Sequence, residues 1–116
     1  MSPSLTSHQP HDQVVLVAIT RRALSDSSAN QLVDEVNTAA ASEPGKPLVL
    51  DMLKVEFIPS SVLGALIRIA QSMKLDGRRF LLIRVDRRVR GTLSVTRLDK
   101  VLEMHETLDD FLATLE

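Results

Sequence analysis

The sequence predicts a single α/β domain with a mainly parallel central sheet of about four strands, flanked by about four helices. Three observations predict this fold class. The chain has 116 residues, 44% of them hydrophobic and 25% charged, which is typical of one globular domain. Continuous apolar runs of strand length alternate with segments of helical period. The connections between them are short, which favours parallel strands joined by helical crossovers.

The first strand and helix follow a polar N-terminal segment. Residues 1–12 are rich in Ser, Pro and His without hydrophobic periodicity, so we expect a flexible leader followed by one domain at 13–116. The continuous apolar run at 14–19 predicts a strand covered on both faces. An apolar stripe at helical spacing then predicts an amphipathic helix, formed by Ala29, Leu32, Val33, Val36 and Ala40.

The rest of the chain repeats this alternation of strands and helices. The predicted elements are a strand at 48–52, a largely buried helix at 62–70, a strand at 79–85, a helix with Val89 and Leu93 inside, an edge strand at 101–104 and a last helix after Thr107. No internal repeat or linker interrupts this order. The pattern therefore predicts one domain and not two.

The composition argues against most kinds of catalytic site. The chain has no Cys, which excludes disulfides, thiolate metal sites and a Cys nucleophile. Its three His residues belong to no motif with metal-ligand spacing, and its four Gly residues form no phosphate-binding loop. Asp51 is a lone carboxylate at the end of a predicted strand, where a turn or cap role is the usual one. We therefore expect no enzyme activity, no metal and no cofactor.

Charge and aromatic content argue against nucleic-acid and membrane partners. The formal net charge is −1, and the chain has no Trp, no Tyr and three Phe, which does not favour binding nucleic acid by stacking. No run approaches the roughly 18–20 apolar residues of a membrane span, and residues 1–12 lack the pattern of a signal peptide. These features predict a cytoplasmic protein.

A family resemblance rests on the segment 48–77. An apolar strand ends in an acid, a hydrophobic pair leads to two hydroxyl residues, and a Leu-Gly pair, an apolar helix and a Gly turn follow. These positions are Asp51, Phe57, Ile58, Ser60, Ser61, Leu63, Gly64 and Gly77. The segment resembles the STAS domain, the fold of bacterial anti-sigma-factor antagonists, and the similarity extends over about 13–116. Pro59 and Val62 stand where that family has Asp and Gly.

The resemblance implies a regulatory protein-binding module. Such a module docks an anti-sigma factor that is a serine-protein kinase of the GHKL type, and serine phosphorylation switches the docking and so the regulation of transcription. By this resemblance, Ser60 and Ser61 are the candidates for phosphorylation. The partner-binding surface is expected to contain Ser25, Asp26, Pro59, Ser60, Ser61, Gly64 and Arg68.

The local chemistry of residues 59–61 fits such a switch. Pro59 fixes its own φ and biases Ile58 towards an extended backbone, so it is suited to end a strand and start a helix. Ser60 is then the expected N-cap of that helix. A phosphate on Ser60 would add about −1.5 to −2 charges beside the free N–H groups of a helix N-terminus, which tolerate an anion.

Two other interpretations stay open from the sequence. The chain could be an unphosphorylated STAS-like structural subunit of a signalling or transport complex, including a homo-oligomer. Alternatively, a cluster of arginines could bind a phosphate-bearing ligand, although we favour a solvated helix face that is charge-balanced by the acidic C-terminal segment 101–116 with its helix. These arginines are Arg84, Arg87, Arg88 and Arg90.

Overall fold

A computed structural model describes residues 3–115 of the chain. The strands in this range are β1 (Thr6–Gln9), β2 (Val15–Ile19), β3 (Leu48–Asp51), β4 (Phe80–Ile83) and β5 (Glu103–His105). The α-helices are α1 (Ala29–Ser42), α2 (Ser60–Leu75), α3 (Arg87–Val95) and α4 (Leu108–Ala113), with short 3-10 helices at Asp26–Ser28 and Leu98–Lys100. The predicted single α/β domain is confirmed, with five strands in place of about four.

The sheet is mostly parallel, and its strands lie in the order β1-β2-β3-β4-β5. β1 pairs with β2 in antiparallel fashion, and the other neighbours are parallel. The register places Ala18 beside Asp51, Asp51 beside Ile83 and Ile83 beside His105. These residues therefore form one row across the carboxyl ends of the parallel strands.

Different helices pack on the two faces of the sheet. Helices α1, α2 and α3 pack on one face, which we call the helix face, where Val17, Leu32, Leu50 and Leu66 are fully buried. On the opposite face, which we call the α4 face, Phe111 packs in a smaller cluster with Val14, Val49, Leu81 and Ile83. Strands β3 and β4 are apolar on both faces because helices cover both.

The N-terminal segment differs from the expected flexible leader. Residues 1 and 2 lie outside the described residues, but β1 extends the sheet by one edge strand, and Leu5 is buried in the core. This part of residues 1–12 therefore belongs to the domain. Its polar sequence gave no strand signal because an antiparallel edge strand is held by its backbone hydrogen bonds and needs no apolar period.

A carboxylate on α1 fastens this segment to the domain. Glu35 accepts hydrogen bonds from the backbone N–H groups of Leu5 and Thr6 and from the hydroxyls of Ser4 and Thr6, at 2.7–3.1 Å. Partial burial raises the pKa of Glu35, but these bonds and one from Gln31 outweigh it, so the pKa falls from 4.5 to about 2. The carboxylate is therefore ionised at neutral pH and holds the start of β1.

Candidate functional site

The serine pair lies at the N-terminus of α2, directly after the connection from β3. Pro59 has an extended backbone, with φ −80° and ψ 167°, and it occupies the N-cap position of α2. Its carbonyl accepts from the N–H groups of Val62 and Leu63 at 3.0 and 3.2 Å. Ser60 is therefore the first helical residue, and the prediction that it is the N-cap is wrong. Pro59 occupies the cap position because its backbone is still extended, as is typical of an N-cap residue.

The two serines differ in their surroundings. Ser60 is exposed, and within residues 3–115 its hydroxyl has no hydrogen-bond partner. Ser61 is half-buried, and its hydroxyl donates to Oδ1 of Asp26 at 2.5 Å. Asp26 opens the short 3-10 helix before α1, which lies beside the N-terminus of α2. The adjacent Ser25 is exposed at the cap of that 3-10 helix. The structure therefore brings the upstream acid and the serine pair together.

Further along α2, Gly64 and Arg68 continue the same exposed side of the helix. A Cβ added to Gly64 would meet no atom within 4 Å, so packing inside the chain does not require a glycine there. Both terminal nitrogens of Arg68 lie 3.2 Å from Oδ1 of Asn30 on α1. Asn30 could not be identified from the sequence, because its partner is 38 positions away and no local motif marks it.

An exposed aromatic side chain lies next to the serines. Phe57 is 60% exposed although it belongs to the apolar motif before Pro59. Its carbonyl accepts from the N–H of Leu24 at 3.3 Å, and its backbone forms a bridge with Ala23. The backbone is therefore fixed while the ring faces solvent. We call the exposed area around the start of α2 the serine surface, formed by Ser25, Asp26, Phe57, Pro59, Ser60, Ser61, Gly64 and Arg68.

The predicted arginine cluster is largely neutralised. Arg84 pairs with Asp51, Arg88 with Asp86 and Glu56, and Arg90 with Glu106 at 3.2 Å, while Arg87 is exposed. Hydrogen bonds from the side chain and backbone of Arg88 lower the pKa of Asp86. The charge-balanced interpretation is thus the better one. Most of the balancing acids come from neighbouring strands and loops, and only Glu106 belongs to the acidic C-terminal segment.

Asp51 has the turn role that its position predicts, together with an ion pair. Its side chain is buried, and Oδ1 accepts from the N–H of Leu53 at 3.0 Å. The guanidinium of Arg84 contacts both carboxylate oxygens. The sequence did not indicate this pair, since its two residues lie at the ends of neighbouring strands and are 33 positions apart.

Comparisons with known proteins agree on one family. The family model described as STAS domain matches residues 8–111. A Thermotoga neapolitana protein that is named as an anti-sigma factor antagonist homologue is 30% identical over 69 residues, which is 60% of this chain and 61% of that protein. The match thus spans less than two thirds of the relative's length. In the described residues, no helix is long and apolar enough to cross a membrane.

Two solved structures show the same fold. An anti-sigma-factor antagonist (STAS) domain protein of Planctomyces limnophilus superposes with a TM-score of 0.84 at 21% identity, covering 99% of this chain and 100% of that one. An anti-sigma factor antagonist of Mycobacterium paratuberculosis superposes with a TM-score of 0.80 at 27% identity, covering 94% and 91%. Because the family model matches residues 8–111, most of the sequence, the chain belongs to the STAS domain family.

Proposed function

We propose that this STAS domain is a regulatory, non-enzymatic binding module of the anti-sigma-factor antagonist kind, which docks an anti-sigma factor at its serine surface. The main support is Ser60, the first residue of α2 and part of the family motif, whose hydroxyl is exposed and has no hydrogen-bond partner among residues 3–115. The names of the similar proteins support it. Its place of action is the cytoplasm, where sigma factors are regulated.

The serine surface has the composition of a docking site. Phe57 offers an exposed aromatic ring, the type of side chain that often anchors a protein interface. Gly64 leaves a flat area on α2 where the backbone of a partner can approach. Asp26 and Arg68 place one charge of each sign beside this area, which can orient a partner of complementary charge.

Phosphorylation of Ser60 would control this docking. The helix accommodates a phosphate there, because the first N–H groups of α2 favour an anion. Ser61 is the poorer acceptor, since its hydroxyl already binds Asp26 at 2.5 Å and a phosphate would face that carboxylate. The enzyme expected by family resemblance is the anti-sigma factor itself, acting as a serine-protein kinase of the GHKL type.

The test is to purify the bound anti-sigma factor with this chain from the native host and measure its affinity for variants. We expect Ser60→Asp to weaken the complex by about tenfold or more, which corresponds to at least about 1.4 kcal/mol. Ser60→Ala should bind like the wild type. Ser72→Asp is the matched control, since Ser72 is exposed near the other end of α2 and its replacement should leave the affinity unchanged.

Mass spectrometry of the tryptic peptide 55–68 provides the second readout. Phosphate on Ser60 in cells under one growth condition and its absence under another would support the switch. A bound partner that tolerates Ser60→Asp, with no phosphate on this peptide under any condition, would contradict it. That result would instead favour the unphosphorylated structural subunit of a signalling or transport complex.

A further inference from the structure

A cavity of about 220 Å³ opens on the α4 face of the sheet. It lies at the carboxyl ends of β2 and β3, with one wall formed by β1. Open α/β sheets commonly bind ligands at this end of their strands. The cavity is smaller than the roughly 300–1,000 Å³ typical of drug-sized ligands. Its lining residues that carry polar or charged side chains are Ser7, Gln9, Thr20, Asp51, Lys54 and Arg84.

The acid in this cavity is already neutralised. Asp51 is 4% exposed, and its carboxylate accepts from the N–H of Leu53 and from Nε and Nη2 of Arg84. Arg84 has a left-handed backbone with φ 53°, which is uncommon for a residue other than glycine. In this conformation the guanidinium of Arg84 binds Asp51 along one edge. The side chain of Arg84 is 44% exposed. Nη1 is left without an acceptor in the described part of the chain.

The other polar side chains of the cavity include groups that can donate hydrogen bonds to a ligand. Lys54 is exposed and forms no ion pair within residues 3–115. Ser7 and Gln9 add a hydroxyl and an amide, whereas the Thr20 hydroxyl is already bonded to the carbonyl of Leu5 at 3.1 Å. With Asp51 balanced by Arg84, the ammonium of Lys54 gives the cavity a net positive charge. Groups of this kind fit a ligand with several acceptor oxygens.

A neighbouring cavity of about 270 Å³ shows the opposite charge balance. It shares Gln9, Asp51 and Arg84 with the first cavity, but its further wall contains Asp109 and lacks Lys54. Its charged groups therefore sum to a net negative charge. An anion is therefore favoured in the first cavity, which contains Lys54, and disfavoured in the second, which contains Asp109.

We propose that the cavity beside Lys54 and Arg84 binds a small oxyanion, a phosphate or a carboxylate. The free edge of the Arg84 guanidinium and the Lys54 ammonium bind the charged oxygens, and Ser7 and Gln9 supply further hydrogen bonds. The cavity shares no residue with the serine surface, although Lys54 lies on the same β3–α2 connection as Phe57.

The experiment is an NMR titration of the full ¹⁵N-labelled chain with sodium phosphate and, separately, sodium succinate at constant ionic strength. We expect saturable shifts confined to the amides around the cavity, including those of Ala18, Leu53, Lys54 and Arg84. Lys54→Ala should weaken binding by about tenfold, and Lys54→Arg should restore it. Lys74→Ala is the matched control, because Lys74 is an exposed lysine on α2 outside the cavity and its removal should change nothing.

The two titrations distinguish the ligand classes. Saturation by phosphate alone identifies a phosphate site, and saturation by succinate alone identifies a carboxylate site; either supports the proposal. Shifts that never saturate, or that are as large in Lys54→Ala as in the wild type, would show general ion binding only and overturn it. Because Lys54 is exposed, its replacement should leave the fold intact, which the dispersion of the same spectra checks directly.

Discussion

The helix face and the α4 face of the sheet differ in the number of helices that cover them and in the size of the core that they bury. Three helices cover the helix face and form the larger core, in which α2 alone buries Val62, Ala65, Leu66 and Ile69 completely. The α4 face has one six-residue helix with Phe111 as its fully buried side chain, and the sheet beside it opens into cavities. The helix face therefore buries more apolar surface than the α4 face, and we expect it to contribute more to the stability of the domain.

The largest effect is expected from a truncation on the helix face. Leu66→Ala should lower the free energy of unfolding by about 2–5 kcal/mol, because it leaves a cavity at a fully buried position. Urea unfolding measures this loss. Leu75→Ala on the same helix is the control, since Leu75 is 91% exposed and its truncation should cost less than about 0.5 kcal/mol. Similar losses at both positions would contradict the burial of this face.

A smaller effect is expected on the α4 face. The Phe111 ring lies under the guanidinium of Arg79, at 4.7 Å, and its centroid is 5.5 Å from that of His105 in an edge-on arrangement. Phe111→Leu keeps an apolar side chain but removes both aromatic contacts, so we expect a loss of about 1–2 kcal/mol. Urea unfolding again measures it. A loss as large as that of Leu66→Ala would show that the two faces contribute equally.

The smallest effect concerns the attachment of β1 to the helix face. The folded pKa of Glu35, about 2, lies below its ordinary value of 4.5, so ionised Glu35 stabilises the fold above pH 4.5 and this contribution disappears as the pH falls towards about 2. Glu35→Gln should therefore cost about 1 kcal/mol at neutral pH and less in acid. Urea unfolding at several pH values measures the difference. Curves that stay parallel to those of the wild type would contradict this role.

Asp34→Asn is the matched control for this acid. Asp34 is the preceding carboxylate on α1, it is exposed, and within the described residues it makes no hydrogen bond through its side chain. Its replacement should leave the stability and its pH dependence close to those of the wild type. A loss equal to that of Glu35→Gln would assign the effect to the charge of α1 as a whole.

The regular part of the fold could be predicted because its signal is local. The strands β2, β3 and β4 are continuous apolar runs, and α1 has an apolar stripe at helical spacing. β1 was missed because its polar side chains carry no period, although its backbone pairs along the edge of the sheet. The exposed ring of Phe57 was missed for the opposite reason, since an aromatic residue in an apolar motif is normally buried.

The pairings within the candidate site could not be predicted, because they depend on distance in space. Ser61 meets Asp26 across 35 positions of sequence, and Arg84 meets Asp51 across 33. The sequence placed Ser61 and Asp26 in the same surface through the family resemblance, and it placed Asp51 at a strand end. The hydrogen bond that distinguishes Ser61 from Ser60 forms only because the 3-10 helix packs against α2, and the sequence does not reveal that packing.

The strand order of the sheet has a consequence for how the protein is made. Each strand pairs only with the strands next to it along the chain, so every new unit can join the open edge of the sheet as it leaves the ribosome. No strand has to be inserted between two that are already paired. Of the described elements, α4 emerges last. Phe111 can therefore cover the α4 face only after the sheet residues on which it packs, Val49 and Leu81 among them, have been made.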